Sequence, residues 1–300
     1  MDKNLVLALG FFDGVHLGHA ALLRRAVDAA RESGLTSGVM TFDVHPGALI
    51  PGRAQPLLNT PPERDALLKT FPGIEKVITV TFDERMMRMP WREFIDYTVS
   101  LGAARLVAGH DYRFGHRGEG DAEMLASACA GAGLGCCIIP PVEVDGVTVS
   151  STHIRGLVAS GDAERAARFL GRNHFLSGVV RRGRGVGAGL GAPTINLPLP
   201  EGVQPPAYGV YFTRVHVRGG AYDAVYNAVT NVGVRPTFDD AGPRAVVESA
   251  LLGFSGGLYG ADARVEFLRR HRPERRFEDA EALRRQIKTD IEAAGKFFQK

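Results

Sequence analysis

Cysteine is scarce in this 300-residue chain, which holds three, two of them adjacent as Cys136-Cys137 in an apolar run. Three thiols so placed make neither a disulfide framework nor metal-ligand spacing, and they read as buried thiols of a reducing compartment. No apolar run reaches the length of a membrane span, and residues 1–15 lack a basic segment followed by a cleavable signal. The expectation is a soluble cytoplasmic protein with no membrane partner. Charge of one sign is missing too: 36 Lys and Arg against 33 Asp and Glu leave a net +3. Basic residues are dispersed apart from Arg181-Arg182-Gly183-Arg184 and the stretch 264–276. That balance argues against nucleic acid and suits small anionic molecules. Internal repeats and low-complexity segments are also lacking.

What is present is enough chain for two domains, each with its own core. From Leu5 to about Cys137, short apolar runs alternate with helical patterns. Strands are expected at Leu5–Leu9, Ser37–Phe42, Lys76–Phe82, Arg105–Ala108 and Gly135–Pro140. Helices are expected near 19–33, 62–69, 90–101 and 121–131, with Thr60-Pro61-Pro62-Glu63 as a capped helix start. Such alternation predicts an α/β domain, a Rossmann-like parallel sheet with helices on both faces that binds ligands beyond its strands' carboxyl ends. Two short helices, about 152–159 and 162–170, lead to a change of character near 172–177. Beyond it come β-rich runs at Gly178–Val180, Gly209–Val217, Ala224–Val232, Ala245–Leu252 and Arg264–Leu268. They predict a compact antiparallel β-barrel. A terminal helix from Phe277 to Phe298 carries Ala282, Leu283, Ile287, Ile291 and Ala294 on one stripe. The expected domains are 1–174 and 175–300.

The most informative stretch is Gly10-Phe11-Phe12-Asp13-Gly14-Val15-His16-Leu17-Gly18-His19, where the first strand turns into a helix. Glycines let backbone N–H groups approach a ligand, and a first helical turn offers unpaired donors with partial positive charge. Two imidazoles three residues apart can neutralise charge growing on a phosphate. Three further elements fall at expected strand or helix ends: Thr41-Phe42-Asp43-Val44-His45-Pro46, Gly109-His110-Asp111-Tyr112-Arg113-Phe114-Gly115 and Ser150-Ser151-Thr152-His153-Ile154-Arg155. Read alone, Ser151 and Thr152 fit a helix cap better than a ligand, while Arg155 offers a fork to phosphate oxygens. Tyr112 and Phe114 fit core aromatics equally well. Asp111 and Arg113 suggest a charged pair buried for a purpose.

In order and spacing, these four elements resemble the FAD synthetase module of bacterial bifunctional riboflavin kinase/FAD synthetases over residues 4–172. Val44 stands where the family has proline, and Tyr112 where it has phenylalanine; Gly161 and Leu170-Gly171-Arg172 also match. The resemblance implies that His16 and His19 grip the ATP triphosphate, within a site formed by Gly10, Phe11, Phe12, Asp13, Gly14 and Gly18. It implies that Ser151, Thr152 and Arg155 close on the same phosphates, and that Asp111, Tyr112 and Phe114 meet the flavin. The implied reaction is attack of the FMN phosphate on the α-phosphorus of ATP, giving FAD and pyrophosphate through positioning and charge stabilisation.

The second half holds a glycine-dense stretch running from Arg182 to Ala192 into Pro193-Thr194-Ile195-Asn196. Such a loop can wrap phosphates, and Thr194 and Asn196 offer oxygens to a hard cation; composition alone fits a mobile surface loop joined to an ordinary turn. The stretch resembles the riboflavin kinase domain, as do 231–238 and Leu258-Tyr259-Gly260, over about 178–298. That likeness implies ATP contacts at Gly185, Gly187, Gly191 and Pro193, Mg²⁺ at Thr194 and Asn196, a flavin contact at Arg235, and Glu248 as base on the riboflavin 5′-hydroxyl. ATP is then co-substrate, and ADP and FMN are products. The family pattern is broken at Ala188, Ala192, Ser249-Ala250, Gly253 and Gly257. A second reading is therefore an FMN adenylyltransferase with a degenerate, flavin-binding kinase domain. A third is a flavin-responsive regulator or RNA-binding protein, against which the modest charge and the lack of a basic–aromatic stripe count. The expected state is a monomer or weak homo-oligomer.

Overall fold

The computed structural model describes residues 3–50, 52, 54–181, 194–219, 222–235 and 244–299. Contacts divide the chain into two compact units, Met1–Ser151 and Thr152–Lys300.

In the first unit β1 (Leu5–Leu9) is buried at every position. It lies between two parallel neighbours, β2 (Thr36–Phe42) and β4 (Ala103–Gly109), which explains its unbroken apolar run. With β3 (Lys76–Val80) and β5 (Gly135–Ile139) the sheet order is β3-β2-β1-β4-β5, all parallel. The order reverses between β1 and β4, which opens a crevice at their carboxyl ends. One face packs on α1 (Leu17–Ser33) through Leu23, Ala26 and Ala30. The other face carries Leu7, Leu9 and Leu106 together with Phe94 of α4 (Trp91–Ser100) and Leu125 of α5 (Ala122–Gly131). The Thr60–Glu63 capping box starts α2 (Pro61–Lys69) as expected. Two elements lack a sequence counterpart: the single turn α3 (Glu84–Arg88), and a hairpin of β6 (Glu143–Val144) and β7 (Val147–Thr148). Its two turn residues, Asp145 and Gly146, are both at positive φ, as a tight hairpin demands. The reading of all three cysteines as buried is corrected: Cys129 is buried, but Cys136 and Cys137 on edge strand β5 are half-exposed.

The second unit begins with α6 (Ser151–Ser160) and α7 (Ala163–Leu170). Between them Gly161 takes a left-handed φ of 83° and lies so close to the Arg270 and Tyr211 side chains that a Cβ would collide. The antiparallel sheet holds β8 (His174–Val179), β9 (Thr194–Pro198), β10 (Gly209–Arg218), β11 (Ala224–Arg235), β12 (Arg244–Leu251) and β13 (Asp262–Pro273). Its order is β8-β13-β10-β11-β12-β9, and its two edges meet where Arg181 N–H donates to the Asn196 carbonyl at 2.9 Å. Alternate residues fill the interior, among them Leu197, Tyr211, Val215, Val232 and Val247. The outer face offers Val210, Phe212 and Val229 to α8 (Ala280–Phe298), which covers them with Ile291, Ala294 and Phe297. Several boundaries differ from expectation: β13 runs on to Pro273, and α8 begins only at Ala280, after its Asp279 cap. Thr194–Asn196, read as a turn, is the start of β9, and β8 begins at His174 because Phe175 and Leu176 are already paired to β13.

Candidate active sites

At the carboxyl end of β1 the backbone turns through Phe12, Gly14 and Val15 at φ of 62°, 79° and 39°. Positive φ at a phenylalanine and a valine is uncommon and is held only where surroundings enforce it. Asp13 supplies part of that enforcement. It is buried, its Oδ1 accepts from Leu58 N–H at 2.8 Å, and its carbonyl accepts from Ser151 Oγ at 2.9 Å. His16 caps α1: its Nδ1 accepts from His19 N–H at 3.2 Å. The two imidazoles stack at 3.6 Å with only 13° between their planes, and the Phe12 ring meets His19 edge-on at 5.1 Å. Gly18 leaves the room this needs, since a Cβ there would lie 3.1 Å from His16 Cε1. Gly10 likewise lies against the Phe12 ring, which a Cβ would approach to 3.2 Å. The expected residues are thus brought together, with Ser151 holding the turn through its backbone.

After β2, Thr41 Oγ1 donates to the Phe11 carbonyl at 3.0 Å, and Asp43 Oδ1 accepts from Phe82 N–H at 2.8 Å. The side chain of His45 caps a short 3₁₀ turn, Pro46–Leu49, and its ring meets Phe11 at 4.9 Å. His45, Phe42, Phe82, Tyr112 and Phe114 line a cavity of about 1230 Å³. Tyr112 and Phe114 stack at 5.8 Å, and burial pushes the Tyr112 phenol above its ordinary range. Phe114 is buried and packs against Phe94 at 5.4 Å, so it serves core and cavity wall together. The expectation of a buried Asp111–Arg113 pair is overturned. Both are exposed, and Arg113 lies 3.9 Å from Asp121 instead. They flank the cavity-lining Tyr112, with Arg113 itself on the cavity's exposed wall, where water solvates the charge. In the second unit, exposed Thr152 accepts from Arg155 Nη2 at 3.0 Å.

The second candidate site is a polar row on the outer face of the barrel sheet. Strand register sets Glu248 beside Asn231 on one neighbour and Asn196 on the other. One step along, Ala250 sits beside Val229 and Thr194. Thr194, Asn231, Glu248, Arg272 and Asp290 line a cavity of about 340 Å³. Asp290 of α8 is buried and accepts from Arg272 Nη2 at 2.7 Å, Arg272 Nε at 3.1 Å and Gln286 Nε2 at 2.7 Å. Glu274 reaches over Gly233: a Cβ on that glycine would sit 2.4 Å from its Oε1. Sequence reading missed Arg272, Glu274 and Asp290 as wall residues. Asp290 had a visible signal, being a carboxylate on the apolar stripe of α8. Gly185, Gly187, Ala188, Gly191, Ala192 and Pro193 lie outside the described residues, as does the side chain of Arg235. No cluster of three acidic, histidine or cysteine side chains that would cage a metal occurs among the described residues.

The first unit is a five-stranded parallel sheet of Rossmann-like order, and the second an antiparallel barrel sheet with a terminal helix. The family model for FAD synthetase matches residues 1–153, and that for riboflavin kinase matches 170–298. A Bacillus subtilis bifunctional riboflavin kinase/FMN adenylyltransferase is 35 % identical over 296 residues, covering 98 % of this chain and 92 % of its own length. The Escherichia coli K12 protein of the same name is 34 % identical, at 99 % and 94 % coverage. A solved Streptococcus pneumoniae chain described as a macrolide-efflux protein superposes with a TM-score of 0.87 at 33 % identity, over 98 % of this chain and 94 % of that one. Among the described residues no helix is long and apolar enough to cross a membrane. The chain belongs to the bifunctional riboflavin kinase/FMN adenylyltransferase family.

Proposed function

We propose that the β1–α1 turn is the adenylylation site and that the polar row on the barrel is the phosphorylation site. The protein is a flavin-cofactor transferase with two ATP-dependent activities, riboflavin to FMN and FMN to FAD. The first half's assignment is carried by the stacked His16–His19 pair at a helix N-terminus, in the same unit as an aromatic cavity. An FMN phosphate oxygen attacks the α-phosphorus of ATP, the bond to the β-phosphate oxygen breaks, and pyrophosphate leaves. The imidazoles donate to oxygens that gain charge in the transition state. Ser151 steadies the turn, Thr152 and Arg155 serve at the phosphates by family likeness alone, and Tyr112 and Phe114 with neighbouring Asp111 hold the flavin.

In the barrel, Glu248 takes the proton of the riboflavin 5′-hydroxyl as that oxygen attacks the γ-phosphorus, and ADP leaves. Arg235 and the glycines at 185, 187 and 191, with Pro193, serve flavin and ATP by family likeness. Thr194 and Asn196 stand two apart on one face of β9 and offer neutral oxygens. That donor set fits Mg²⁺, which keeps waters and phosphate ligands and needs only one or two protein oxygens. Bound there, Mg²⁺ would neutralise phosphate charge. The degenerate-kinase reading gains no support, because the riboflavin kinase match spans 170–298. Residues 1–174 and 175–300 are the functional halves in this reading, acting in the cytoplasm as a monomer or weak homo-oligomer, without nucleic acid or membrane.

The experiment is a product-resolved assay on two variants. H19A should lose FAD formation by about a hundredfold or more while still making FMN. E248Q should lose FMN formation by roughly a hundredfold to ten-thousandfold while still converting FMN to FAD. Loss of both products in either folded variant contradicts two separate sites.

A further inference from the structure

Arg64 is the most deeply buried charged side chain among the described residues, 1 % exposed, and no step proposed above uses it. Its Nε and Nη2 donate to Asp65 Oδ1 at 3.1 and 2.8 Å, and Asp65 Oδ2 accepts from Thr79 Oγ1 at 3.2 Å. Its Nη1 is buried and has no hydrogen-bond partner among the described residues. The guanidinium carbon instead lies 4.5 Å from the centre of the Phe11 ring. Phe11 in turn meets His45 edge-on at 4.9 Å, and its carbonyl is held by Thr41. Phe11 belongs to the phosphate turn, whereas His45 lines the aromatic cavity.

For stability alone this arrangement has little to recommend it. A buried charge with one donor unused is costly, and replacing a buried ion pair as a whole by apolar side chains is often neutral or stabilising. A guanidinium on an aromatic face has a use, however, because such a contact removed from water is worth a factor of about thirty. We propose that Arg64 is a positioning residue for FMN adenylylation: its guanidinium, set against Phe11, fixes the Phe11–His45 contact that joins phosphate turn to flavin cavity. The inference rests on the assignment of adenylylation to that turn. It makes Arg64 act on substrate only through Phe11, so the effects of the two residues are coupled.

The test compares the full-length wild type with R64M, R64K, F11L and the R64M/F11L double variant. FAD formation is measured with FMN and ATP varied separately, beside thermal melting and riboflavin phosphorylation. R64M should raise KM for FMN about tenfold, with kcat changed less than about threefold, because only part of the roughly thirtyfold cation–ring contact reaches the flavin through Phe11. Because R64M leaves Asp65 without its cation, its melting temperature should fall, so KM is measured well below the melt, and riboflavin phosphorylation should be unchanged. R64K, which keeps a cation, should recover much of the loss, and the double variant should be no worse than F11L. Unchanged KM in folded R64M, or effects that multiply in the double variant, would overturn the proposal. If R64M does not fold, R64K and F11L decide: wild-type KM for FMN in F11L overturns it, and a raised KM in both supports it. A wild type that forms no FAD would instead remove the adenylylation assignment, so the two failures are distinguishable.

Discussion

Replacing Gly18 by alanine sets fold stability against catalysis and so isolates what the β1–α1 turn is for. Gly18 is the second residue of α1, and its φ is not in the left-handed region. Alanine there is the better helix former by up to about 1 kcal/mol, so the fold should not weaken. The added Cβ would lie 3.1 Å from His16 Cε1 and 3.2 Å from His16 Nδ1. Ordinary contacts begin a few tenths of an ångström farther out, so the imidazole must move by about that much. His16 Nδ1 already accepts from His19 N–H at a long 3.2 Å, and the rings stack at 3.6 Å. A shift therefore disturbs both histidines. Since about 1 Å of misplacement can cost a hundredfold, a few tenths should cost FAD formation about tenfold. The assay follows FAD from FMN and ATP by chromatography, with FMN from riboflavin and a thermal melt as controls. Wild-type FAD formation in G18A would refute the claim that His16 must sit where it does. A parallel fall in FMN formation would refute the separation of sites.

Three other outcomes follow from the second unit and the thiols. D290A should destabilise by about 3–5 kcal/mol in chemical denaturation, because it leaves the half-buried Arg272 without its carboxylate. A fragment 152–300 should melt higher than 175–300, since α6 bonds to the barrel through Ala207 N–H to the Val158 carbonyl at 3.1 Å and Arg270 to the Ser160 carbonyl at 3.3 Å, and Glu164 of α7 pairs with Arg269 at 3.1 Å; equal melting would show those helices idle there. Cys136 should be alkylated before Cys129 at mildly alkaline pH, as peptide mapping can show. The Cys129 thiol hydrogen-bonds to it and lowers its pKa, while that same bond, with burial, pushes Cys129 up.

Much of this architecture was legible because its elements carry the periodicities that physics imposes. Leu5–Leu9 reads as a strand buried on both faces, and it is the sheet's middle strand. The Thr60–Glu63 box marks a helix start that the structure keeps. The turn 10–19 stood out because glycines and paired histidines have no common purpose except at a ligand. What was not legible depends on contacts distant in sequence. Asp13 could not be read as the clamp of the turn, since Leu58 and Ser151 lie 45 and 138 residues away. Arg64 was not singled out in the sequence, and only its contact with Phe11 shows what its buried guanidinium meets. Asp111 and Arg113 failed for the opposite reason: burial was inferred from charge at a strand end, whereas the loop carries both into water. Thr194 was placed in a turn because Pro193 and the glycines before it signal one, and pairing to β12 overrides that signal.

The same register bears on whether the barrel's departures from the family pattern disable it. Side chains alternate along β12, so Val247, Ser249 and Leu251 point inward while Glu248 and Ala250 point out. A slip of one residue would carry Glu248 into the apolar interior, at a cost no pairing could offset. Two inward features resist that slip. Val247 and Leu251 are each 1 % exposed in the core. Between them Ser249 Oγ accepts from Thr230 Oγ1 at 2.8 Å, and Thr230 is 2.6 Å from Thr213 Oγ1, a hydroxyl ladder across three strands. Ser249, where the family pattern is broken, thus still makes the bond that holds the register. Ala250 faces the cavity, where a smaller side chain alters its width and leaves the row Asn196–Glu248–Asn231 in place. On the proposed role of Glu248, the substitutions therefore fall on fit to substrate and leave that side chain on the cavity face of its strand.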